Sequence, residues 1–211
     1  MKKGSPSVKT IWFDLGNVIL NFDFSHAYSR ISKYTDWDKA RIREYFVSHP
    51  ALEADLDEGR APAVVLYRRL VRDLRLKGLR FSAFKNIWNR IFWPNRPVIA
   101  LIRRLKKNGY RLILVSNTNR LHYDHIRLSY PVLKLFDKHV LSFRVKARKP
   151  GRRIYETALR FSRGKGREIF YTDDRAEMTT AARANHDVNA HTYRNVRELV
   201  DDMRLLGIRV S

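Results

Sequence analysis

Side chains able to do chemistry stand at four points of the chain, three of them directly after an apolar run: Asp14, Ser116, Lys149, and the pair Asp173 and Asp174. Carboxylates held close together repel one another unless a cation neutralises them, and an all-oxygen ligand set favours Mg²⁺. Ser116 and the backbone amides after it can donate hydrogen bonds to phosphate oxygens, and Lys149 adds positive charge near a helix N-terminus. A carboxylate nucleophile, a hard metal and a phosphate cradle together predict phosphoryl transfer through an aspartyl-phosphate.

Each of these residues also has an ordinary structural explanation. Asp14 precedes Leu15, Gly16 and Asn17, and an acid at the start of such a loop is commonly a turn residue. The acidic pair at 173–174 can equally cap the helix that follows it. Their shared position favours chemistry, because the carboxyl ends of parallel strands meet at one edge of a sheet, where ligands bind.

Strand and helix patterns alternate along the chain. Runs rich in β-branched and aromatic residues predict strands at residues 8–13, 110–115, 139–142, 168–172 and 188–193. Helical spacing separates most of them, with helices expected after the proline-containing residues 94–97, from Pro150 and near Glu177, and Gly109 ends the first of these helices. The alternation predicts an α/β fold, a three-layer, Rossmann-like parallel sheet with helices on both faces.

Residues 24–93 carry helical periodicity with few strand signals. We therefore predict two parts: a Rossmann-like core of residues 8–23 and 94–211, and an α-helical cap of residues 24–93 inserted after the first strand. An insertion at that point lies over the carboxyl edge of the sheet, so the cap would close over the chemical residues and exclude water.

Composition excludes several classes of protein. The 211 residues suffice for one core with an inserted subdomain, and a hydrophobic share of 44% argues against global disorder. Cysteine is absent, which excludes disulfides, cysteine-ligated zinc and thiol nucleophiles. The first six residues lack the apolar stretch of a signal peptide, and no uncharged span approaches the roughly 20 residues of a membrane helix. We therefore expect a cytoplasmic protein with no membrane partner.

The formal charge of +22 is unusual and would attract polyanions. The basic residues are spread along helical patterns whose apolar positions face inward, which favours a solvated, arginine-rich surface. No RNA-binding or zinc-knuckle motif joins this charge to the aromatic residues, and no P-loop motif is present. Nucleic acid therefore stays open as a partner beside a small phosphorylated substrate, and these patterns do not encode the oligomeric state.

Four segments resemble, in order, the four motifs of the haloacid dehalogenase (HAD) superfamily: residues 13–18 (FDLGNV), 116–120 (SNTNR), 148–150 (RKP) and 173–177 (DDRAE). The likeness spans nearly the whole chain, including the interval where a helical cap belongs. It is closest to the branch that holds sugar-1-phosphate phosphatases and the phosphatase domain of soluble epoxide hydrolases. The resemblance implies a Mg²⁺-dependent phosphatase acting on a small phosphate monoester, such as a sugar phosphate.

The resemblance also implies a role for each acidic position. Asp14 would attack phosphorus with one oxygen and bind Mg²⁺ with the other, and Gly16 would supply a metal ligand through its backbone carbonyl. Asp174 corresponds to the direct metal ligand of the acidic pair. Asp173 would then orient Lys149 or a water ligand of the metal.

The second and third motifs imply the phosphate site. Ser116 and Asn117 would hold the phosphoryl oxygens, while Lys149 would neutralise charge between the nucleophile and the phosphate. The histidines of the chain show no metal-ligand spacing, which favours structural roles, although His122 and His125 follow the second motif closely enough to border the pocket.

Two departures from the pattern bear on activity. Gly16 stands where most phosphatases of the superfamily have a second aspartate as general acid and base, help that is typically worth roughly 10²–10⁴-fold. A good leaving group, such as an anomeric hydroxyl or an acyl phosphate, would need less protonation. Met178 stands where this branch usually has asparagine, with Thr179 or water as the substitute donor. These departures support a second interpretation, a catalytically weakened member that binds phosphorylated ligands or partners.

Overall fold

The computed structural model describes residues 7–211 and is built around two sheets. Its strands, in chain order, are β1 (Thr10–Phe13), β2 (Leu20–Phe22), β3 (Phe92–Pro94), β4 (Arg111–Ser116), β5 (Lys138–Leu141), β6 (Ile169–Asp173) and β7 (Asn189–Thr192). The expected absence of a signal peptide concerns residues 1–6, which lie outside the described residues.

The larger sheet is parallel and has the strand order β5-β4-β1-β6-β7. Its central strand β1 is fully buried, as expected for a parallel strand covered on both faces. The chain builds β4 and β5 on one side of β1 and then crosses to build β6 and β7 on the other. Such a change of direction opens a crevice at the carboxyl end of the central strand. The prediction of an α/β, Rossmann-like parallel sheet is confirmed.

Helices connect the strands. They are α1 (Ser25–Ile31), α2 (Lys39–Ser48), α3 (Ala51–Asp57), α4 (Ala63–Asp73), α5 (Phe81–Asn89), α6 (Arg96–Lys107), α7 (Arg120–Ser129), α8 (Ser142–Val145), α9 (Arg152–Phe161), α10 (Ala176–His186) and α11 (Val196–Leu205). Within residues 7–211, no helix combines the length and the apolar character that crossing a lipid bilayer requires.

Alternate residues of the strands pack on opposite faces of the sheet. Phe13 belongs to an apolar cluster with Leu101 of α6, and residues of α11 complete that cluster. Trp12 belongs to a separate cluster on the other face, with Tyr155 of α9 and Ala182 of α10. The period-2 alternation of β1 therefore joins two helical layers to one sheet, which accounts for the three-layer architecture.

Helices α1–α5, here called the helical segment, lie between β2 and β3. The segment has an apolar cluster of its own, which includes Leu70, Phe84 and Trp88. Strands β2 and β3 form an antiparallel pair at its base, with Asn21 opposite Trp93. This ribbon is not among the predicted strands, because three residues are too few to show an alternating pattern. The proposed domain boundaries at residues 24 and 93 stay predictions.

One predicted helix begins later than expected. The helix after Lys149 starts at Arg152 rather than at Pro150. The N–H of Gly151 donates to the carbonyl of Arg148 at 2.9 Å, so the chain completes a turn before the helix begins. Lys149 is therefore placed by a turn that precedes the helix.

Candidate active site

Three carboxylates meet at the carboxyl edge of the sheet. Asp14 follows β1 directly, Asp173 ends β6 and Asp174 comes next, and these two strands are neighbours in the sheet. One carboxylate oxygen from each residue lies within 4.8 Å of those from the other two. Three hard oxygen donors without nitrogen or sulfur are the ligand chemistry that Mg²⁺ prefers, so this set fits a magnesium ion.

Lys149 is buried between two of these carboxylates. Its Nζ donates to Asp14 Oδ1 and to Asp173 Oδ2, each at 2.6 Å, and to the carbonyl of Val115 at 2.8 Å. Burial opposes the charge, but the two carboxylates outweigh it and raise the pKa of Lys149 above its ordinary value. Lys149 thus keeps a positive charge beside Asp14.

The side chain of Asn117 holds Lys149 in place. Its Nδ2 donates to the carbonyl of Lys149 at 2.9 Å, and its Oδ1 accepts from the backbone N–H of Lys149 at 2.8 Å. Ser116, the residue before it, ends β4 and is buried beside the carboxylates. The Asn117 side chain is therefore committed to positioning Lys149, and any contact it makes with a phosphoryl group falls mainly to its backbone.

Asp173 and Asp174 have different partners. Asp173 accepts hydrogen bonds from the Tyr171 hydroxyl and from the backbone N–H of Arg175, the latter at 3.0 Å. Burial works against its charged form, yet Lys149 lowers the pKa of Asp173 overall. Asp174 is half-buried, and burial raises its pKa. Asp173 is therefore fixed within the protein, whereas Asp174 is more open to a ligand.

Asn17 supplies a contact that the sequence did not predict. Its Nδ2 donates to Asp174 Oδ2 at 3.0 Å, and its φ of 53° is in the left-handed region that asparagine tolerates. Thr179, an expected substitute donor, does not fill this place, because its hydroxyl bonds Ala176 and Thr192, and Met178 itself is buried. The Gly-Asn pair after Asp14 was the available signal, and it indicated only a loop.

A side chain at Gly16 would require the ring of Phe22 to move. A Cβ at this position would be 2.8 Å from Phe22 Cε1 and 3.8 Å from Asp14 Oδ2. The Phe22 ring from β2 therefore occupies the space where a general acid at this position would extend. Gly16 lines the same cavity as Asp14.

A cavity of about 330 Å³ connects these residues to the helical segment. Its polar end contains Asp14, Asp173, Asp174, Ser116 and Lys149. The rest of its lining is mainly aromatic and acidic, and includes Phe22, Phe24, Trp88, Phe92, Glu53 and Asp57. Glu53 and Asp57, two of the three acids of α3, were not predicted, since nothing in the sequence distinguishes them from other acids on a helix surface.

The two histidines singled out from the sequence lie in different places. His122 is buried in the cavity wall, where its Nδ1 is 3.2 Å from Asn89 Oδ1, and burial lowers its pKa to about 3. His125 lies instead on a larger neighbouring groove, together with Arg120 and Asp124. Of the two, His122 alone borders the cavity that contains Asp14.

The fold and the site combine a Rossmann-like core with an acidic centre at the end of its middle strand. A family model of haloacid dehalogenase-like hydrolases matches residues 8–186. The chain belongs to that family.

Solved structures share the fold. The HAD family enzyme bt-2542 of Bacteroides thetaiotaomicron, in complex with magnesium and inorganic phosphate, superposes with a TM-score of 0.76 at 20% identity, over 89% of this chain and 95% of that one. A predicted HAD-like family hydrolase of Porphyromonas gingivalis gives a TM-score of 0.75 at 23% identity, over 94% of this chain and 98% of that one. A HAD phosphatase of Thermococcus onnurineus gives 0.66 at 18%, over 97% and 100%.

Proposed function

We propose that this hydrolase is a Mg²⁺-dependent phosphatase that cleaves a small phosphate monoester through an aspartyl-phosphate on Asp14. The observation that carries the proposal is the position of Lys149, whose ammonium group contacts both Asp14 and Asp173 at 2.6 Å. A buried cation between a candidate nucleophile and a second acid suits a reaction in which negative charge develops on transferring oxygens.

The chain's own groups account for the bond changes. One carboxylate oxygen of Asp14 attacks phosphorus as the bond to the leaving oxygen breaks, and water then hydrolyses the aspartyl-phosphate. Lys149 neutralises the phosphoryl charge, while the Ser116 hydroxyl and the backbone N–H groups after it hold the phosphoryl oxygens. Asp173 holds the ammonium group of Lys149, and the Asn117 side chain holds the Lys149 backbone.

The metal site would use Asp14, Asp174 and the backbone carbonyl of Gly16. When bound there, Mg²⁺ supplies positive charge that polarises the phosphoryl group. Asn17 orients Asp174 for this role through its amide hydrogen bond. The magnesium and phosphate complex of bt-2542, a protein of the same fold, supports the assignment.

The cavity supports a small substrate. A volume of about 330 Å³ is at the lower end of the range for small-molecule sites. We propose that the helical segment acts as a cap whose aromatic wall contacts the leaving group, as a sugar ring or a comparable small alcohol would allow. The segment would also keep bulk water from the aspartyl-phosphate.

A phosphatase assay with Mg²⁺ tests this function. Wild type and Asp14→Asn are compared on p-nitrophenyl phosphate and on a panel of sugar, nucleotide and acyl phosphates, with and without EDTA. We expect Mg²⁺-dependent release of phosphate that Asp14→Asn abolishes. Asp55→Asn serves as the matched control, because Asp55 pairs with Arg60 on the surface of α3. Turnover that survives Asp14→Asn would exclude the aspartyl-phosphate mechanism.

One alternative function follows from the Phe22 ring, which lies against Gly16 where a general acid would extend. With no acid at that position, the chain would bind phosphorylated ligands or partners and turn them over weakly. In that case calorimetry would show binding of inorganic phosphate with Mg²⁺, while no member of the panel would be hydrolysed above the Asp14→Asn background.

A further inference from the structure

The proposed phosphatase reaction needs a proton donor that Gly16 cannot be. An alcohol leaves as an alkoxide unless an acid protonates it during bond cleavage. Among the described residues that line the cavity, the titratable groups not already assigned to phosphate or metal are Glu53, Asp57 and His122, besides two arginines. The arginines stay charged at any working pH and are poor proton donors.

His122 is unsuited to this role. Burial lowers its pKa to about 3, so the ring is neutral at physiological pH and carries no proton to spare as an acid. Its Nε2 is enclosed without a hydrogen-bond partner, and the ring packs against Phe92 and Trp88. The histidine therefore belongs to the apolar wall.

Asp57 is attached to both loops that carry the phosphate site. Asn119 Nδ2 donates to its Oδ1 at 3.4 Å, and Arg148 Nη2 is 3.7 Å from its Oδ2. Asn119 comes three residues after Ser116, and Arg148 directly precedes Lys149. The carboxyl group thus stands between the loops that hold the phosphoryl group, at the end of α3 and in the same cavity as Asp14.

Asp57 also stays accessible. Its side chain is 17% exposed, enough for contact with a ligand in the cavity, whereas Lys149 and Asp173 are almost fully enclosed. Glu53 lies one turn earlier on α3, also lines the cavity and feels the charge of Arg148. Of the two acids, Asp57 alone is held by a hydrogen bond to the loop that follows Ser116.

We propose, on the basis of the phosphatase function above, that Asp57 is the general acid and base that replaces the missing side chain at Gly16. As Asp14 bonds to phosphorus and the phosphorus–oxygen bond breaks, the Asp57 carboxyl gives its proton to the leaving oxygen. Water then attacks the phosphorus of the aspartyl-phosphate and gives a proton to the Asp57 carboxylate. Asp14 is released, and the products are an alcohol and inorganic phosphate.

The surroundings of Asp57 suit a proton donor near neutral pH. Burial raises its pKa to about 6, against the opposing effects of Arg148 and of the hydrogen bond from Asn119. The nearby carboxylates of Glu53 and Glu58 raise the pKa of Asp57 further. Lys146, the residue directly after α8, which packs against α3, donates a hydrogen bond to the Gly59 carbonyl. The acid form is thus present below about pH 6 and declines above it.

Two aryl phosphates of similar shape test the proposal. Nitrophenolate leaves readily without a proton, whereas phenolate is a much poorer leaving group. We expect Asp57→Asn to lower kcat/KM for phenyl phosphate by about 10²-fold, within the range of general acid catalysis, and to change p-nitrophenyl phosphate little. In wild type, kcat/KM for phenyl phosphate should fall above about pH 6, and this fall should be absent in Asp57→Asn. Asp57→Glu should restore part of the rate.

The controls separate the possible failures. An equal loss on both substrates, or none, would overturn the role of Asp57 and leave the phosphatase function intact. A selective loss in Glu53→Gln instead of Asp57→Asn would transfer the role to Glu53. Asp55→Asn, on the exposed side of the same helix, should match wild type on both substrates. A wild type that cleaves neither substrate overturns the phosphatase function, and with it the role of Asp57.

Discussion

At the scale of single residues, Lys149 links the stability of the site to its chemistry. Its ammonium group is enclosed and contacts two carboxylates and one carbonyl. A buried ion pair gains little over an apolar pair, but removing one partner leaves the other charge uncompensated. Lys149 is therefore suited to phosphoryl transfer and is also needed for the stability of the folded protein.

We predict that Lys149→Met lowers the free energy of unfolding by about 3–5 kcal/mol, because Asp14 and Asp173 then face each other without a counter-ion. Urea denaturation without added metal measures this loss. Lys77→Met is the control, since Lys77 is exposed and should change stability by less than about 0.5 kcal/mol. Equal stability of the two variants would show that Lys149 is not needed to neutralise the site.

Asn17 offers a test of the metal site. Asn17→Gly keeps the left-handed backbone accessible but removes the amide that bonds Asp174. We predict about 10-fold weaker Mg²⁺ affinity, the lower end of the effect expected when a ligand loses its orienting partner. The rise in melting temperature during a Mg²⁺ titration measures it without any assay of turnover. An unchanged titration curve would mean that Asp174 needs no such support.

At the scale of elements, the short ribbon β2–β3 restricts which side chain fits at position 16. β2 ends in Phe22, whose ring lies where a side chain at Gly16 would extend. The absence of an acid at position 16 therefore involves both the loop after β1 and the strand β2, because the Phe22 ring lies against Gly16. Two acids of α3, Glu53 and Asp57, line the same cavity as Gly16.

We predict that Gly16→Asp alone destabilises the protein by about 1–3 kcal/mol, as overpacking does when a ring must move. Phe22→Leu should relieve the clash, so the double variant should be more stable than the sum of the single changes implies. A double-mutant cycle in urea measures this coupling, which is expected only for residues in contact. Additive effects would show that the ring does not restrict position 16.

The sequence predicted the polar residues at the edge of the sheet far better than the residues that the helical segment adds to the cavity. Asp14, Ser116 and Asp173 each stand at the carboxyl end of a strand, and parallel strands bring these ends to one edge whatever the details of packing. Asp57 reaches the cavity only because α3 packs near Asn119, 62 residues away in the chain. No local pattern encodes such a contact, and the same holds for the hydrogen bond from Asn17 to Asp174.

At the scale of the whole molecule, charge dominates. A formal charge of +22 means that like charges repel across the folded surface, and such repulsion favours the expanded chain. Several basic residues also gather on the groove of about 960 Å³ next to the active site: Lys85, Arg120, Arg144 and Lys146. The net positive charge therefore lowers the stability of the whole fold, and the basic residues of this groove would attract anionic ligands.

We predict that salt stabilises this protein. Raising the ionic strength from about 0.01 M to about 0.15 M shortens the screening length from roughly 30 Å to roughly 8 Å and weakens the repulsion among surface cations. The melting temperature in sodium chloride should therefore rise over this interval. A fall in melting temperature would show that the surface ion pairs outweigh the net charge.

Nucleic acid remains a proposed partner that the same charge makes testable. Binding of a single-stranded oligonucleotide should be weak, indifferent to sequence and strongly reduced by salt, because released counterions drive it. Fluorescence anisotropy across a salt series gives the slope. Affinity that does not change with salt would contradict contacts between this surface and phosphates.

The ribbon at the base of the helical segment has a consequence for how such a protein diversifies. The chain leaves through β2 and returns through β3, and paired strands lie only about 4.8 Å apart. Any segment inserted between β2 and β3 therefore begins and ends at nearly the same point. Recombination can exchange the whole insert without disturbing the hydrogen bonds of the five-stranded sheet. A lineage can in this way inherit its phosphate chemistry unchanged while acquiring a new proton donor and a new leaving group in one genetic event.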